Sequence, residues 1–475
     1  MFDLVIQNAN VVSSHRTFRA NIGVIGEKIA AIDYAPMSGN VIIDATDKFL
    51  IPGVIDTHLH LQPESPTGEA DGLLPWADGY ETGTISAAFG GVTTVIDMRI
   101  QEQRAGASVM EAVTRGLEDA SRKAVVDFSF HAGLTYPSSD TLAEIPQLIE
   151  MGIPSFKFFL TYPNWHIRVG LGFVYEAFLA IKSNNGIAAV HSENDEIIEH
   201  LKRKFVSLGR EDLACYALAR PDFAEEMAIS DVGILSRETG ARAYAVHVSS
   251  RKGLDAGRRT KAQGARLFME CVPHYLMFTD DAFRLEPTRS AQFVMGPPYR
   301  TEDDISALWE GIRDGSIDWM GSDHSPYLTA QKTRDLRFFS DPAGTPNGIE
   351  YAIPTGIGGV ELLLPLMLSE GVNKGRITMQ RLVELMCLSP ARNLGLRQKG
   401  AIRVGLDADL VVVDLDIVKS VRNEDLHSKA DFTLYEGLEV KGWPVLTVSR
   451  GRIIVRNGQL LGARGHGRLI ERQLA

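Results

Sequence analysis

The sequence predicts an α/β fold, a (β/α)8 barrel of the TIM type that carries a small β-sandwich domain formed from both chain ends. Two observations predict it. Strand-like apolar runs alternate with helical periodicity in the middle of the chain, and both ends contain short β runs separated by Gly- and Asn-containing turns. The expected boundaries are 1–50 and 391–475 for the two parts of the β-sandwich, and 51–390 for the barrel. A chain of 475 residues is long enough for a large barrel with an appendage.

Short β runs fill the two ends of the chain. The N-terminal runs are DLVIQNANVV, ANIGVIGEKIAAID and NVIIDATDKFLI. The C-terminal runs are GLDADLVVVDLD, DFTLYEGL and PVLTVSRGRIIVRNGQL. We expect the two sets to pair into one β-sandwich, which would bring the two ends of the middle domain together.

Eight candidate strands occupy the middle region, with helical segments such as SVMEAVTRGLEDASRKA, FVYEAFLAIKSNN and ISALWEGIRDG between them. Eight strands alternating with helices match the number that a (β/α)8 barrel requires. The candidate strands are Val54–His60, Thr93–Met98, Val125–His131, Ser155–Leu160, Ile187–His191, Ala243–Val248, Arg266–Glu270 and Asp318–Ser322.

Composition and charge exclude several classes of function. The chain has 49 Lys and Arg against 60 Asp and Glu, a formal net charge of −11, and no basic run of the kind that neutralises nucleic-acid phosphates. It has neither an apolar run long enough for a membrane span nor the layout of a signal peptide at its start. Three widely spaced cysteines argue against disulfides and thiolate zinc sites. We therefore expect a cytoplasmic protein without nucleic-acid or membrane partners.

Two histidines end the first candidate strand of the barrel, in the stretch IPGVIDTHLHL. Successive side chains of a strand alternate between its faces, so His58 and His60 project to the same side. Neutral imidazole is a good ligand for zinc and similar metals. An isolated pair of this kind is more often two polar residues finishing a strand, so further ligands are needed.

Three more potential ligands, His191, His247 and Asp323, follow other candidate strands. Catalytic groups of such barrels stand at the C-terminal ends of the strands, where these residues are expected. Each alone has an ordinary interpretation as a polar residue that caps a strand. Together with His58 and His60 they indicate a metal site.

Lys157 lies within the aromatic run SFKFFL of the fourth candidate strand. Burying an ammonium group there is costly, and burial lowers a lysine pKa. The ordinary interpretation is a lysine that pairs with a buried carboxylate or extends to solvent. The alternative is that neutral Lys157 takes up carbon dioxide and becomes a carbamate, an anionic ligand that bridges two metals. The carbamate, Asp323 and a bridging hydroxide would then nearly balance two divalent cations.

Taken together, these motifs resemble the amidohydrolase superfamily and, within it, the dihydropyrimidinase/hydantoinase group. The resemblance covers nearly the whole chain. The motifs that carry it are PGVIDTHLH, GYETGTISAAFGGVTTVIDM, SFKFFLTY, VHSEN, VHVSS, ECVPHYL, MGPPYR, GSDHSP and KGAIRVGLDADLVVVD.

The resemblance implies two divalent metal ions, expected to be Zn²⁺, and a homotetramer or homodimer. It assigns one ion to His58, His60, carboxylated Lys157 and Asp323. It assigns the other ion to carboxylated Lys157, His191 and His247.

The same resemblance implies hydrolysis of a cyclic ureide or imide, such as a dihydropyrimidine or hydantoin, to an N-carbamoyl amino acid. A hydroxide bridging the two metals would attack the ring carbonyl, with Asp323 as base and then acid. Tyr162 falls where the group keeps a tyrosine that hydrogen-bonds the oxyanion. Gly296 and Gly344 fall at its substrate-binding positions, where backbone atoms make most of the contacts. This chain has Met-Gly-Pro-Pro in place of the common Met-Ser-Pro-Pro, and glycine in place of asparagine at 344. These two changes leave the identity of the ring open.

Four alternatives differ from this prediction. An allantoinase shares several motifs, although Tyr162 and the C-terminal tail favour a hydantoinase. A dihydroorotase usually has arginine directly after the His-x-His motif, where this chain has Leu61. A non-enzymatic scaffold relative would have lost metal ligands, all of which this chain keeps. A mononuclear deaminase would not need Lys157.

Further polar residues near strand ends have less specific interpretations. We expect His131, His274 and His324 to have structural roles or to support the metal ligands. Glu193 has an ordinary interpretation as a surface carboxylate. The Gly- and Pro-rich segment 62–79 follows the first strand and is expected either to cover the site or to form a surface loop.

Overall fold

The computed structural model describes residues 1–62, 76–102, 106–162, 167–337, 339–340, 350–351 and 353–475. The chain begins with a β domain in which the first strand pairs antiparallel with the second and parallel with the fourth and fifth. Its inward-facing side chains are mostly Val, Ile and Leu, which suit strands. The strands are β1 (Phe2–Val12), β2 (Thr17–Ile25), β3 (Lys28–Asp33), β4 (Gly39–Asp44) and β5 (Phe49–Pro52).

Within the described ranges, eight parallel strands form the barrel that the sequence predicts, each hydrogen-bonded to the next one along the chain. The eighth strand is short, and a parallel bridge between Leu59 and His324 closes the sheet. There the amide of His60 donates to the carbonyl of His324 at 2.8 Å. The strands are β6 (Val54–Leu59), β7 (Val92–Ile100), β8 (Asp127–Gly133), β9 (Ser155–Phe159), β10 (Ile187–His191), β11 (Arg242–Ala245), β12 (Leu267–Cys271) and β13 (Trp319–Met320).

Helices separate the barrel strands and pack around them. The three helices predicted above correspond to α2, α5 and α11 below, and local capping explains two of their starts. The Ser108 hydroxyl accepts from the amide of Glu111, and Thr301 forms a capping box with Asp304. The helices are α1 (Tyr80–Phe89), α2 (Val109–Lys123), α3 (Ser139–Ala143), α4 (Ile145–Glu150), α5 (Leu171–Ser183), α6 (Asp195–Ser207), α7 (Cys215–Ala219), α8 (Asp222–Thr239), α9 (Arg251–Ala262), α10 (Pro287–Gln292), α11 (Glu302–Asp314), α12 (Thr329–Lys332), α13 (Leu363–Leu366), α14 (Met379–Val383) and α15 (Ser389–Asn393).

The C-terminal strands complete the β domain, as predicted. Leu410 pairs with Pro52 in an antiparallel ladder, so the two chain ends share one mostly antiparallel sheet with its own apolar core. The domain boundaries given above stay a prediction. The remaining strands are a short hairpin, β14 (Phe339–Ser340) and β15 (Glu350–Tyr351), and the C-terminal β16 (Leu410–Ser420), β17 (Glu439–Ser449), β18 (Arg452–Arg456) and β19 (Gln459–Leu460).

The run DFTLYEGL, residues 431–438, is a series of turns, so its prediction as a strand was wrong. Its backbone carbonyls bind a side chain instead of a neighbouring strand: Arg289 donates to Thr433 at 3.4 Å and to Leu434 at 3.0 Å. Tyr435 packs against Phe278, with ring centroids 5.4 Å apart. The segment therefore fastens the β domain to the barrel.

Helices in the described part of the chain are all too short or too polar to cross a bilayer.

Candidate active site

Five of the predicted ligands converge at the carboxyl end of the barrel strands. His58, His247 and Asp323 each place a ligand atom within 4.8 Å of the other two. His60 Nε2 lies 3.4 Å from Asp323 Oδ1, and the rings of His191 and His247 lie 4.6 Å apart. Residues from four separate strand ends therefore surround one space, as the sequence pattern predicted.

Lys157 on β9 lies beneath this cluster and is fully buried. Its Nζ has no hydrogen-bond partner among the described residues and lies 4.9 Å from the centre of the Phe159 ring. Burial lowers the pKa of Lys157 to about 8, although Asp323 and Glu270 raise it. An unpartnered amine of this kind is accessible as the neutral form, which is the form that reacts with carbon dioxide.

Three histidines of the cluster, His60, His191 and His247, are neutral at physiological pH. Burial lowers the pKa of His60 and of His191 to about 4, and it brings the pKa of His247 well below its ordinary value. Neutral imidazole is the form that binds metals. Within the described residues the Nδ1 atoms of His60 and His247 are buried without a hydrogen-bond partner.

Asp323 is the ionised carboxylate of the cluster. Burial raises its pKa, but His58 and His60 outweigh burial and hold the pKa well below its usual range. The donor set therefore consists of imidazoles with one carboxylate and one unpartnered amine, and it fits divalent metals such as zinc.

Glu270 supports this cluster from below, at the end of β12. Its Oε1 lies 2.7 Å from His58 Nδ1, which leaves His58 Nε2 to face the cluster. Its Oε2 accepts from the hydroxyl of Thr57 at 2.8 Å and from the indole of Trp319 at 3.2 Å. Carboxylates in this position fix the tautomer and orientation of a metal-binding histidine.

Glu193 contacts the ring of His191 as Glu270 contacts that of His58. The interpretation of Glu193 as a surface carboxylate was therefore wrong. It is fully buried, with Oε2 2.7 Å from His191 Nε2. Burial raises the pKa of Glu193, but Arg220 and His191 lower it to about 2. Arg220, also fully buried, donates from Nε to Glu193 Oε1 at 3.0 Å.

Tyr162 borders the cluster, with its ring centroid 4.9 Å from that of His191. Its hydroxyl oxygen accepts a hydrogen bond from Arg220 Nη2 at 3.1 Å. Burial raises the pKa of Tyr162 to about 12, although Arg220 lowers it, so the phenol keeps its proton at neutral pH. Tyr162 is thus a hydrogen-bond donor beside the candidate metal ligands.

Three of these residues have left-handed backbone conformations, which are unusual for residues other than glycine. The φ angles are 69° at Tyr162, 40° at His247 and 49° at Asp323. Such conformations cost on the order of 1–3 kcal/mol each and cluster at functional sites. Their coincidence with the predicted residues supports a functional assignment for this end of the barrel.

The remaining histidines lie around the cluster in supporting contacts. His131 Nε2 lies 2.9 Å from the carbonyl of Thr57, directly before His58. His324 Nε2 lies 3.0 Å from Asp78, and its Nδ1 accepts from the amide of Gly359 at 3.0 Å. His274 is buried against Tyr275. Their structural and supporting roles stay a prediction.

The two predicted substrate-binding glycines differ in what the structure describes. Gly296 lies directly against the hydroxyl of Tyr162. Gly344 lies outside the described residues, as do residues 63–75 of the segment that is predicted either to cover the site or to form a surface loop.

Sequence reasoning missed Glu270 and Arg220. Glu270 could have been found from the sequence, since it ends a predicted strand and is the only charged residue of LFMEC. Arg220 could not have been found in this way, because it precedes α8 instead of following a barrel strand.

Comparison with known proteins identifies the family. The model of the amidohydrolase family matches residues 49–454. An L-hydantoinase of Paenarthrobacter aurescens is 34% identical, over 100% of this chain and 99% of that protein. A D-hydantoinase of Ralstonia pickettii is 32% identical over 99% of both chains. The crystal structure of a dihydropyrimidinase from Brevibacillus agri superimposes with a TM-score of 0.91 at 30% identity, covering 99% of both chains.

The family model covers most of the chain, and the relatives match it over nearly their full length. This chain belongs to the amidohydrolase family and, within it, to the hydantoinase and dihydropyrimidinase group of cyclic amidohydrolases.

Proposed function

We propose that this chain hydrolyses a cyclic ureide or imide, such as a dihydropyrimidine or a hydantoin, to an N-carbamoyl amino acid or a related open-chain amide. The observation that carries the proposal is the convergence of four histidines and Asp323 above the unpartnered amine of Lys157. Hydrolysis adds water across the ring amide: the carbonyl carbon gains the hydroxyl and the ring nitrogen gains the proton.

The proposed metal ligands are the six residues assigned from the sequence, with Zn²⁺ as the expected metal. They are His58, His60, Lys157, His191, His247 and Asp323. When bound, the two metals would lower the pKa of a water molecule to about 7 and polarise the substrate carbonyl.

Lys157 is proposed to hold both metals as a carbamate, formed when its neutral amine adds carbon dioxide and releases a proton. Support comes from the full burial of Lys157 and from the lack of a partner for Nζ in the described residues. A carbamate would replace a costly buried cation with an anion that has two oxygens able to bind metal.

Asp323 is proposed to take the proton of the attacking water and deliver it to the departing ring nitrogen. Asp323 is ionised, which is the form of the carboxyl group that can accept a proton. Tyr162 donates its phenolic hydrogen to the oxyanion that develops on the carbonyl oxygen. The backbone at Gly296 and Gly344 is proposed to hold the cyclic amide.

The experiment is to incubate purified, zinc-loaded protein with dihydrouracil, substituted hydantoins and allantoin, and to follow ring opening and product identity. We expect N-carbamoyl products from at least one dihydropyrimidine or hydantoin. Opening of allantoin alone would support the allantoinase alternative, which the hydantoinase relatives do not favour. Ring opening of none of them would refute the proposal.

Tyr162→Phe tests the oxyanion donor, because it removes the hydroxyl and keeps the ring. We expect kcat to fall by about 10² to 10³, the usual loss for one such donor. KM should change little, since the donor is used mainly in the transition state. Steady-state kinetics with the best substrate, together with metal analysis, gives the answer. A higher KM at constant kcat would make Tyr162 a ground-state contact instead.

A homo-oligomer, dimeric or tetrameric, is also proposed, with a second copy of this chain covering an apolar face of α5 and α8. These neighbouring helices expose apolar residues at helical spacing, each 37% to 44% accessible. They are Leu171, Tyr175, Leu179, Phe223, Met227 and Ile234. Apolar patches of this kind mark association surfaces.

Light scattering of the purified protein should therefore give a mass of two or four chains. The double substitution Tyr175→Glu and Met227→Glu should reduce this mass, to one chain from a dimer or to one or two chains from a tetramer, because it places charges in the buried interface. Tyr34→Glu, at an exposed aromatic residue in the β domain, is the matched control and should leave the mass unchanged. A monomeric parent protein would refute the proposal.

A cytoplasmic location is the third part of the proposal. All three cysteines, Cys215, Cys271 and Cys387, are buried and free, as expected for a reducing compartment. Fractionation of cells that express the intact protein would test it.

A further inference from the structure

Gly296 stands where a side chain would collide with the Tyr162 hydroxyl. A Cβ built on Gly296 would lie 1.8 Å from the Tyr162 oxygen and 2.9 Å from Arg220 Nη2. Both distances are shorter than real Cβ contacts. The hydroxyl of Tyr162 therefore occupies the space that a side chain at position 296 would fill.

The backbone around Gly296 is anchored on both sides by buried side chains. Lys332 Nζ donates to the carbonyl of Val294 at 2.6 Å, and the Tyr216 hydroxyl donates to the carbonyl of Met295. The Tyr275 hydroxyl donates to the carbonyl of Pro297 at 2.5 Å. The segment therefore cannot move aside to admit a side chain without breaking buried hydrogen bonds, which is costly.

Arg220 holds the other side of the phenol. Its guanidinium is fixed by two bonds to Glu193, and its own carbonyl accepts from Arg300. From that position Nη2 donates to the Tyr162 oxygen at 3.1 Å. Because the phenol oxygen accepts from a cation, its O–H bond is polarised and becomes a stronger donor.

We propose that Gly296 and Arg220 are positioning residues that together place the Tyr162 hydroxyl for the reaction. Gly296 has no side chain, which leaves room for the Tyr162 hydroxyl, and Arg220 holds the phenol oxygen in that position. The inference rests on the proposed function, in which Tyr162 donates to the oxyanion.

The experiment is a double-mutant cycle that combines Gly296→Ala with Tyr162→Phe. We expect Gly296→Ala alone to lower kcat by about 10² to 10³ at nearly constant KM, as loss of the donor itself does. In the Tyr162→Phe background it should change kcat by less than about threefold, because no hydroxyl remains to be displaced. In that background the new methyl group would lie 2.9 Å from Arg220 Nη2 and 3.1 Å from Cζ of the ring, and small shifts of these two side-chain ends can relieve both contacts.

The melting temperature provides a readout that does not depend on activity. Gly296→Ala should lower it, and adding Tyr162→Phe should restore most of the loss. Gly172→Ala is the matched control, since a Cβ at Gly172 meets no heavy atom within 4 Å, and it should lower neither kcat nor the melting temperature. Arg220→Lys keeps the charge but loses the two-pronged geometry, so it should lower kcat strongly only while the Tyr162 hydroxyl is present.

Equal losses of kcat from Gly296→Ala in both backgrounds would overturn the inference, since they would mean that Gly296 acts on the substrate without Tyr162. Equal losses of melting temperature in both backgrounds would overturn it as well. If the parent protein opens none of the rings, the proposed function fails. The melting temperatures alone then decide whether the hydroxyl occupies the Gly296 space.

Discussion

The Lys157→Ala protein should lose its bound metal and its ring-opening activity together. Without the proposed carbamate, the two metal positions keep only imidazoles and the carboxylate of Asp323. No ligand would then be shared between the two metals. Metal analysis and kinetics on the same preparation measure both losses. Adding a short carboxylic acid such as acetate or propionate, together with zinc, should restore part of both, because it supplies the missing oxygens.

Lys332→Ala is the matched control for this experiment. Lys332 is also fully buried, but its Nζ donates to the carbonyls of Val294 and Pro354. Its loss should lower the melting temperature through a cavity and unsatisfied carbonyls, while metal stays bound and added acid has no effect. Full metal content and near-normal turnover in Lys157→Ala would contradict the carbamate bridge.

Asp323→Asn should lower kcat by about 10² to 10⁴ with both metals retained. Asparagine keeps the size and one oxygen of the side chain but cannot take the proton of the attacking water. His58 and His60 lie 3.3 Å and 3.4 Å from Asp323 Oδ1, so the replacement stays within the same cluster. Kinetics and metal analysis of the purified variant measure the effect.

Asp127→Asn is the control, because Asp127 is another buried aspartate at the start of β8, away from the strand ends that carry the site. It pairs there with Lys399 at 2.8 Å and with Arg450 at 2.9 Å. Its loss should lower the stability of the protein and leave kcat within roughly threefold, as expected at the amino end of a barrel. An Asp323→Asn protein within that same range would show that Asp323 has only a structural role.

The fold could be predicted because both of its patterns are local. A buried parallel strand is a short apolar run wherever it occurs, and a strand end can be recognised from the sequence on either side of it. This is why His58, His191 and Asp323 could be placed at one end of the barrel before any contact was known. The prediction of a strand at 431–438 was wrong because the contact that fixes this segment is not local. Its carbonyls are bound by Arg289, which is far away in the sequence.

The part of the site that could not be predicted consists of the residues that contact the candidate metal ligands and Tyr162, rather than the candidate ligands themselves. Nothing near Glu193 in the sequence indicates that Arg220 will pair with it, or that the same guanidinium will reach Tyr162. The close approach of Tyr162 to Gly296 likewise depends on how two loops meet. Such pairings follow from tertiary packing, whereas the residue types that bind metals are visible in the sequence itself.

Two metals held through Lys157 are proposed to be necessary for ring opening. The most direct measurement is a zinc titration of metal-free protein in bicarbonate-containing buffer, with the best substrate and product formation followed at each step. We expect activity to rise as the second equivalent of zinc binds and to reach its plateau at two metals per chain. Full activity at one equivalent, or activity without metal, would contradict the proposal.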